Sequence, residues 1–290
     1  MSTSTQTNKA TTFFALHGTS KAFIIPNPWD IGTARLLALL GFEALATTSA
    51  GMAFSRGQPD NSASRDQLID HLATMVSATN LPVSADLENG FSDAPSEVAK
   101  TVLLAAAAGV VGGSIEDTTG RSSDPLYETE FAAERIRAAV EACRTLPFKF
   151  TLTARAENYV IGRPNLGDTI KRLQAFQDAG ADVLFAPGIT DQHEIATLVR
   201  ELDRPVNVLA GFPAMALSVG ELSELGVRRV SVGGSLARAA LGEFLRSSTE
   251  LRDLGTTIYA HSAVSASELN SLFGSRGECA SDPESGTRNR

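Results

Sequence analysis

A (β/α)8 barrel of the TIM type is the α/β fold class this sequence predicts, and three observations predict it. Eight short β-favouring runs alternate with eight helical runs between Phe23 and Leu251. Several helical runs reach a glycine just before the next strand (Gly41, Gly109, Gly180, Gly226), the left-handed stop that ends a helix and starts a short connection. Polar, acidic and flexible residues follow the strand runs, as they do in the loops at the C-terminal face of a barrel. A doubly wound open sheet is the alternative. It usually carries a glycine-rich phosphate turn after its first strand, and Pro26-Asn27-Pro28-Trp29-Asp30 is not one.

In order, strands are expected at Phe23–Pro26, Ala44–Thr48, Pro82–Asp86, Gly112–Glu116, Lys149–Ala154, Asp182–Ala186, Pro205–Leu209 and Arg229–Val232. Helices are expected at Ile31–Leu40, Arg65–Thr79, Ser96–Ala108, Glu130–Thr145, Gly167–Ala179, Gln192–Leu202, Met215–Leu225 and Leu236–Leu251. A further helix, Ser265–Phe273, carries Leu269, Leu272 and Phe273 and suits packing on a partner chain. Residues 1–12 and 274–290 are polar and are expected to be disordered, leaving a single barrel domain over 13–273.

A chain of 290 residues with 43% apolar and 20% charged residues can build a substantial core. A net charge of −8 with no basic cluster argues against nucleic acid as a partner. No apolar run reaches transmembrane length, so no membrane partner is expected, and the polar start MSTSTQTNKATT lacks a secretory core. Cys143 and Cys279 lie far apart in unlike contexts, which argues against a disulfide framework and for a cytoplasmic protein.

Chemistry concentrates where strands end. Asp86 and Glu88 close one run, and Glu116 and Asp117 close the next, with an alanine-rich helical stretch between. Neighbouring parallel strands would carry both acid pairs to one end, where the carboxylates repel one another. A hard divalent cation relieves that repulsion, which favours Mg²⁺ (or Mn²⁺) as cofactor. The plainer alternatives are solvated strand-end acids, a capping role for Asp117, and an internal ion pair for Arg155. Gly233-Gly234 before a helix either cradles a phosphate or forms a tight turn. The histidines, at 17, 71, 193 and 261, have no ligand spacing.

The pieces PNPWD (26–30), TTSAG (47–51), GQPD (57–60), ADLENGF (85–91), GSIEDT (113–118), TARAEN (153–158) and VSVGGSLARAAL (230–241) occur together in this order. That ordered set resembles the isocitrate lyase/phosphoenolpyruvate mutase superfamily over about residues 20–255. The resemblance implies a Mg²⁺-dependent barrel for a small carboxylate that passes through an enolpyruvate-like anion. It also implies homodimers or homotetramers that exchange their final helices. Carried over residue by residue, it makes Asp86, Glu88, Glu116 and Asp60 the metal set. It makes Thr48, Ser49, Ala50 and Gly51 the turn that holds carboxylate or oxyanion, and Arg155 the neutralising cation. Asn158, Asn207 and Ser231 complete the substrate pocket.

The loop 118–130, TTGRSSDPLYETE, departs from the family's lyases and mutases. It has neither the lyase cysteine nor the mutase lysine and asparagine. Within it, Arg121 is a candidate for a second substrate carboxylate, and Ser122 and Tyr127 are candidate proton donors beside Arg155 and Ser49. The expected activity is that of a lyase or decarboxylase on a 2-oxo or 2-hydroxy dicarboxylate. Carbon–phosphorus chemistry on a phosphonopyruvate-type substrate is the alternative, and a non-catalytic carboxylate-binding protein is a third reading.

Overall fold

Eight parallel strands form one sheet in the order β1-β8-β7-β6-β5-β4-β3-β2. They are β1 (Phe23–Ile25), β2 (Leu45–Ala46), β3 (Val83–Asp86), β4 (Gly112–Glu116), β5 (Thr151–Arg155), β6 (Val183–Phe185), β7 (Val206–Leu209) and β8 (Arg229–Ser231). The computed structural model describes residues 3–274 and divides the chain into two units, Met1–Gly242 and Glu243–Arg290. The expected tail 274–290 lies, beyond Gly274, outside the described residues.

The barrel closes between β1 and β2 without a full ladder. The Ala46 amide donates to the Pro26 carbonyl at 3.1 Å, and Asn27 Nδ2 donates to the Thr47 carbonyl at 3.0 Å. Elsewhere the register is continuous: Asp86 lies opposite Ser114, Glu116 opposite Arg155, and Asn207 opposite Arg229. That register brings residues from distant parts of the sequence to one level of the barrel.

The crossover helices of the first unit are α2 (Ile31–Leu39), α4 (Arg65–Ala78), α5 (Pro95–Ala107), α6 (Thr129–Arg144), α7 (Leu166–Asp178), α8 (Gln192–Glu201) and α9 (Val219–Glu224). Their apolar stripes, such as Val98, Val102 and Ala105 on α5, pack on the strands in one extensive core. The helix expected from Met215 starts later, at Val219. There Ser218 Oγ accepts from the Glu221 amide, and the Glu221 carboxylate accepts from the Ser218 amide at 2.8 Å. A short helix, α3 (Ser49–Ser55), stands where a turn was expected, because Thr48 Oγ1 accepts from the Gly51 amide at 3.2 Å and caps it. A Cβ on Gly51 would lie 2.8 Å from Trp29 Cβ, so this close approach requires glycine.

The N-terminal expectation needs correction. Residues 3–16 form a helix, α1 (Thr3–Leu16), where disorder was expected over residues 1–12. Its polar composition hides a stripe of Ala10, Phe13 and Leu16, which packs with Phe23, Ile25, Ala44 and Val111. Phe13 is fully buried, and a Cβ on Gly112 would lie 2.7 Å from its ring. The glycine at the start of β4 therefore exists to admit a side chain from α1.

In the second unit, α10 (Ser235–Leu254), which begins in the first, leads to a 3-10 turn at Ile258–His261 and to α11 (Ala266–Gly274). The Glu250 carboxylate accepts from Thr256 Oγ1 at 2.7 Å and from the Ile258 amide at 2.6 Å, which fixes the chain after α10. Phe244, Leu245, Leu251, Leu254 and Ile258 are exposed here. Among the described residues, no helix is long and apolar enough to cross a membrane.

Replacing Phe13 by Ala should lower the unfolding free energy by about 3–5 kcal/mol, the range for a buried aromatic truncation. Urea unfolding measures this, and a loss below about 1 kcal/mol would show that α1 does not seal the barrel.

Candidate functional site

The C-terminal ends of β3, β4 and β5 meet at Arg155. Its Nη1 lies 3.0 Å from Asp86 Oδ1, and its Nη2 lies 3.2 Å from Glu116 Oε2 and 2.7 Å from Glu157 Oε1. Burial opposes the guanidinium charge, but Glu157, Glu116 and Asp86 together outweigh burial and hold Arg155 in the charged form. Parallel register explains the arrangement, since each of these three strands ends at the same level.

Asp86 is the second junction. Its Oδ2 accepts from the Ser49 amide at 3.1 Å and from Ser49 Oγ at 3.0 Å, and its own amide donates to Thr47 Oγ1 at 3.0 Å. Ser49 Oγ also lies 3.3 Å from Asp60 Oδ1, which draws the GQPD loop onto the mouth of the barrel. Two of the backbone amides expected to hold substrate are thus engaged within the protein: that of Ser49 with Asp86 and that of Gly51 with Thr48.

Glu88 is 8% exposed, its backbone lies in the left-handed region at φ 49°, and its Oε1 has no hydrogen-bond partner among the described residues. Burial, and then the charges of Asp86, Glu116 and Asp60, push its carboxyl up to about 8. Burial also raises Glu116, although Arg155 and the Thr118 hydroxyl, at 2.6 Å from Oε1, oppose the rise. Asp60 is raised by burial and by Asp86. The mouth therefore holds more carboxylate than Arg155 neutralises.

These donors fit a hard divalent cation. They are oxygen ligands, they are short of positive charge, and one of them is a buried carboxylate oxygen without a partner. Among the described residues, no three acidic, histidine or cysteine side chains encage a cation unaided. Mg²⁺ asks for less, because it keeps several waters and takes only one or two carboxylates directly.

Below this mouth lies a cavity of about 190 Å³. Thr48, Ser49, Ala50, Asp60, Asp86, Arg155, Asn207 and Ser231 line it, so much of the sequence-predicted set comes together. Asn207 Nδ2 donates to Ser231 Oγ at 3.0 Å, which fixes both on the inner wall. Glu88, Glu116 and Gly51 stand beside the lining residues rather than among them.

Four further predicted residues are also absent from the cavity lining. Tyr127 donates its hydroxyl to Asp93 and packs its ring 4.1 Å from the Arg135 guanidinium. Arg121 also pairs with Asp93, at 2.9 Å, and Ser122 is exposed on the same loop. Asn158 donates to Asp168. The loop is pinned at both ends by a bridge between Thr118 and Leu126, and by Thr119 donating its amide to the Pro125 carbonyl. At the Gly233-Gly234 turn, Asn27 Oδ1 accepts from the Val232 and Gly233 amides at 2.9 and 2.8 Å, which engages one of the two glycine amides within the protein. Asp117 braces the fold: it accepts from the Glu157 amide at 2.9 Å and pairs with Arg172 at 3.2 Å. Cys143 is largely buried, and burial pushes its thiol up to about 12, which suits an inert residue.

Sequence reasoning missed Arg229. Arg229 is buried in the barrel, lines the cavity, and contacts Asn207, Thr153 and His17. The only signal for it was strand alternation, which points one of the adjacent pair Arg228 and Arg229 inward.

Burial, then the nearby Arg229 charge, lowers His17 from 6.5 to about 3. The folded value lies below the unfolded one, so the unfolded chain takes up the proton first, and stability falls as pH drops from 6.5 towards 3. At pH 5 this cost is about 2 kcal/mol, at about 1.4 kcal/mol per pKa unit. The loss of stability between pH 7 and pH 5 should therefore be smaller in His17→Gln by that amount. Equal losses in both proteins, measured by urea unfolding, would show that His17 is protonated in the native state.

Known proteins extend this picture. The family model for phosphoenolpyruvate phosphomutase matches residues 13–252. A structure from Burkholderia cenocepacia J2315, provisionally described as a lyase/mutase, superposes with a TM-score of 0.93 at 60% identity, covering 94% of this chain and 98% of that one. A Mycobacterium tuberculosis protein of uncharacterised activity is 35% identical over 76% of this chain and 81% of its own. Oxaloacetate decarboxylase from Pseudomonas aeruginosa is 29% identical over 79% of this chain and 80% of its own. With a barrel of this topology and a family match over most of its length, the chain belongs to the phosphoenolpyruvate phosphomutase family, within the isocitrate lyase/phosphoenolpyruvate mutase superfamily.

Proposed function

We propose that the protein is a divalent-metal-dependent carbon–carbon lyase or decarboxylase acting on a small 2-oxo or 2-hydroxy dicarboxylate. The observation that carries this reading is the excess of carboxylate around Arg155 at the mouth of a small polar cavity. The likeness to oxaloacetate decarboxylase supports the substrate class.

In this reading Asp86 holds Mg²⁺, with Glu88, Glu116 and Asp60 placed to hold it directly or through its waters. When bound, the cation supplies Lewis-acid stabilisation of oxygen charge that develops on the substrate. Arg155 neutralises the substrate carboxylate and the enolate-like charge from the other side, and its pairing with Glu157 fixes the direction of its fork. Ser49 turns its hydroxyl from Asp86 to the substrate. Asn207 and Ser231 orient the carbon chain from the wall. Arg121, Ser122 and Tyr127 would act only if the loop moved, because Asp93 holds Arg121 and Tyr127 in the present arrangement. A reaction in which water supplies the last proton needs no such movement.

Carbon–phosphorus chemistry is the second reading, and the family match favours it. The two separate by product: proton and phosphorus NMR with Mg²⁺ present should show EDTA-sensitive pyruvate or another 2-oxo acid from oxaloacetate or substituted malates. A phosphorus product from phosphonopyruvate would move the assignment to the second reading. Binding of these acids without turnover would favour a carboxylate-binding protein.

Asp86→Asn should reduce metal-dependent turnover about a hundredfold to a thousandfold, the scale for loss of a main electrostatic contributor. Circular dichroism should show an intact fold, and wild-type turnover in this variant would sink the metal assignment.

The exposed Phe244, Leu245, Leu251 and Leu254 fit the homodimer or homotetramer that helix exchange would produce. Light scattering should give a dimer or tetramer for the wild type. The double variant Phe244→Asp, Leu245→Asp should shift to monomer, and a monomeric wild type would remove the proposal.

A further inference from the structure

Among the described residues, Arg229 is a buried cation without an acid. It is 5% exposed, and its three polar neighbours are neutral. Nε donates to Asn207 Oδ1 at 3.0 Å, and Nη2 donates to Thr153 Oγ1 at 3.0 Å. Nη1 faces His17 Nε2 at 3.4 Å. His17 Nδ1 lies 2.9 Å from the Phe13 carbonyl, which can only accept, so Nδ1 carries the proton and Nε2 is left as an acceptor. A guanidinium carries five N–H groups, so these contacts leave donors on Nη1 and Nη2. Asp86, Glu116 and Glu157 are drawn to Arg155 instead. Burial, and then Arg155, the charged group that acts on Arg229 among the described residues, push Arg229 down to about 9.

Place matters as much as charge. Arg229 opens its strand, whereas Asp86, Glu116 and Arg155 end theirs, so Arg229 lies deeper in the barrel. It lines the same cavity as Arg155, together with Ser84, Ser114 and Ser231. Barrel interiors are usually filled by Val, Ile and Leu. Here hydroxyls and open space lead from the acidic mouth to a guanidinium. A buried unpaired charge is costly, and a ligand that brings the counter-charge recovers that cost on binding.

We propose that Arg229 forms a second anion subsite at the floor of the cavity and takes the distal carboxylate of a dianionic substrate. This makes the site selective for dicarboxylates over monocarboxylates. The proposal rests on the reading of the mouth as the seat of the 2-oxo or 2-hydroxy acid end. Asn207 then has a defined part as a positioning residue, because it bridges Arg229 and Ser231.

Lactate and malate test this cleanly, since they differ by the distal carboxylate alone. Calorimetry on the full chain with Mg²⁺ should show malate binding at least about tenfold tighter than lactate. Arg229→Gln should erase that preference, weakening malate at least about tenfold and lactate by less than about twofold, while Arg229→Lys should keep part of it. Equal losses for both acids in Arg229→Gln, or no loss for either, would overturn the subsite and leave Arg229 a structural residue. If the variants fail to fold, a wild-type crystal with Mg²⁺ and malate decides. A carboxylate against the guanidinium supports the subsite, and a carboxylate placed elsewhere overturns it. If the wild type binds neither acid, or binds malate unaffected by Asp86→Asn, the reading of the mouth fails and the subsite falls with it. A failure confined to the Arg229 variants leaves that reading standing.

Discussion

The four-way contact of Arg155 with Asp86, Glu116 and Glu157 is the constraint on which the site depends. Three carboxylates from neighbouring strand ends would force one another apart or take up protons if left alone. One guanidinium holds them within 3.2 Å and so fixes the ends of β3, β4 and β5 relative to each other. Removing Arg155 would strand the three carboxylates as buried, uncompensated charges, which is far costlier than loss of a surface ion pair. The remaining contacts extend this hub. Ser49 ties α3 to Asp86, and Thr118 tethers Glu116.

The second constraint is volume. Ser84, Ser114, Asn207 and Ser231 occupy inner positions that aliphatic side chains would otherwise fill. The barrel is sealed from one side by Phe13, whose ring uses the space left by Gly112. A polar cavity follows from these two choices, and it is stable because its wall groups satisfy one another: Asn207 receives from Arg229 and donates to Ser231.

The eight strands were legible because β-favouring runs, helical runs and C′ glycines recur in step. The acidic mouth was legible because strand ends in a barrel share a face, so the sequence alone places Asp86 and Glu116 together. Helix α1 was not, because its apolar stripe amounts to Ala10, Phe13 and Leu16 within a polar stretch, and its partners are distant in sequence. The loop residues Arg121 and Tyr127 were drawn towards the substrate by their chemistry alone. The side chain that claims them, Asp93, lies in the loop before α5, and sequence spacing gives no sign of that pairing. Arg229 was hidden for the opposite reason: an arginine beside another arginine at a strand start reads as solvent-facing, and burial is visible only once the barrel is closed.

The surroundings of the two cavity arginines differ in a way that bears on which bond the site breaks. Arg155 is already matched by acids, so a ligand carboxylate there competes with Glu157, Glu116 and Asp86 unless a divalent cation draws those acids away. Arg229 is surrounded by neutral acceptors, and an anion arriving there meets no competitor. A distal carboxylate held at Arg229 keeps its charge stabilised, and that opposes its departure as CO₂. Cleavage of the carbon–carbon bond of a 2-hydroxy acid makes the opposite demand. The hydroxyl proton leaves to a base as the carbonyl forms, and the bonding pair passes to the carbon beside the distal carboxylate. The charge on that carboxylate then rises, and a guanidinium binds the transition state more tightly than the substrate. An anion subsite at the floor thus tilts the balance within the proposed activity from decarboxylation towards carbon–carbon lysis of a hydroxy dicarboxylate.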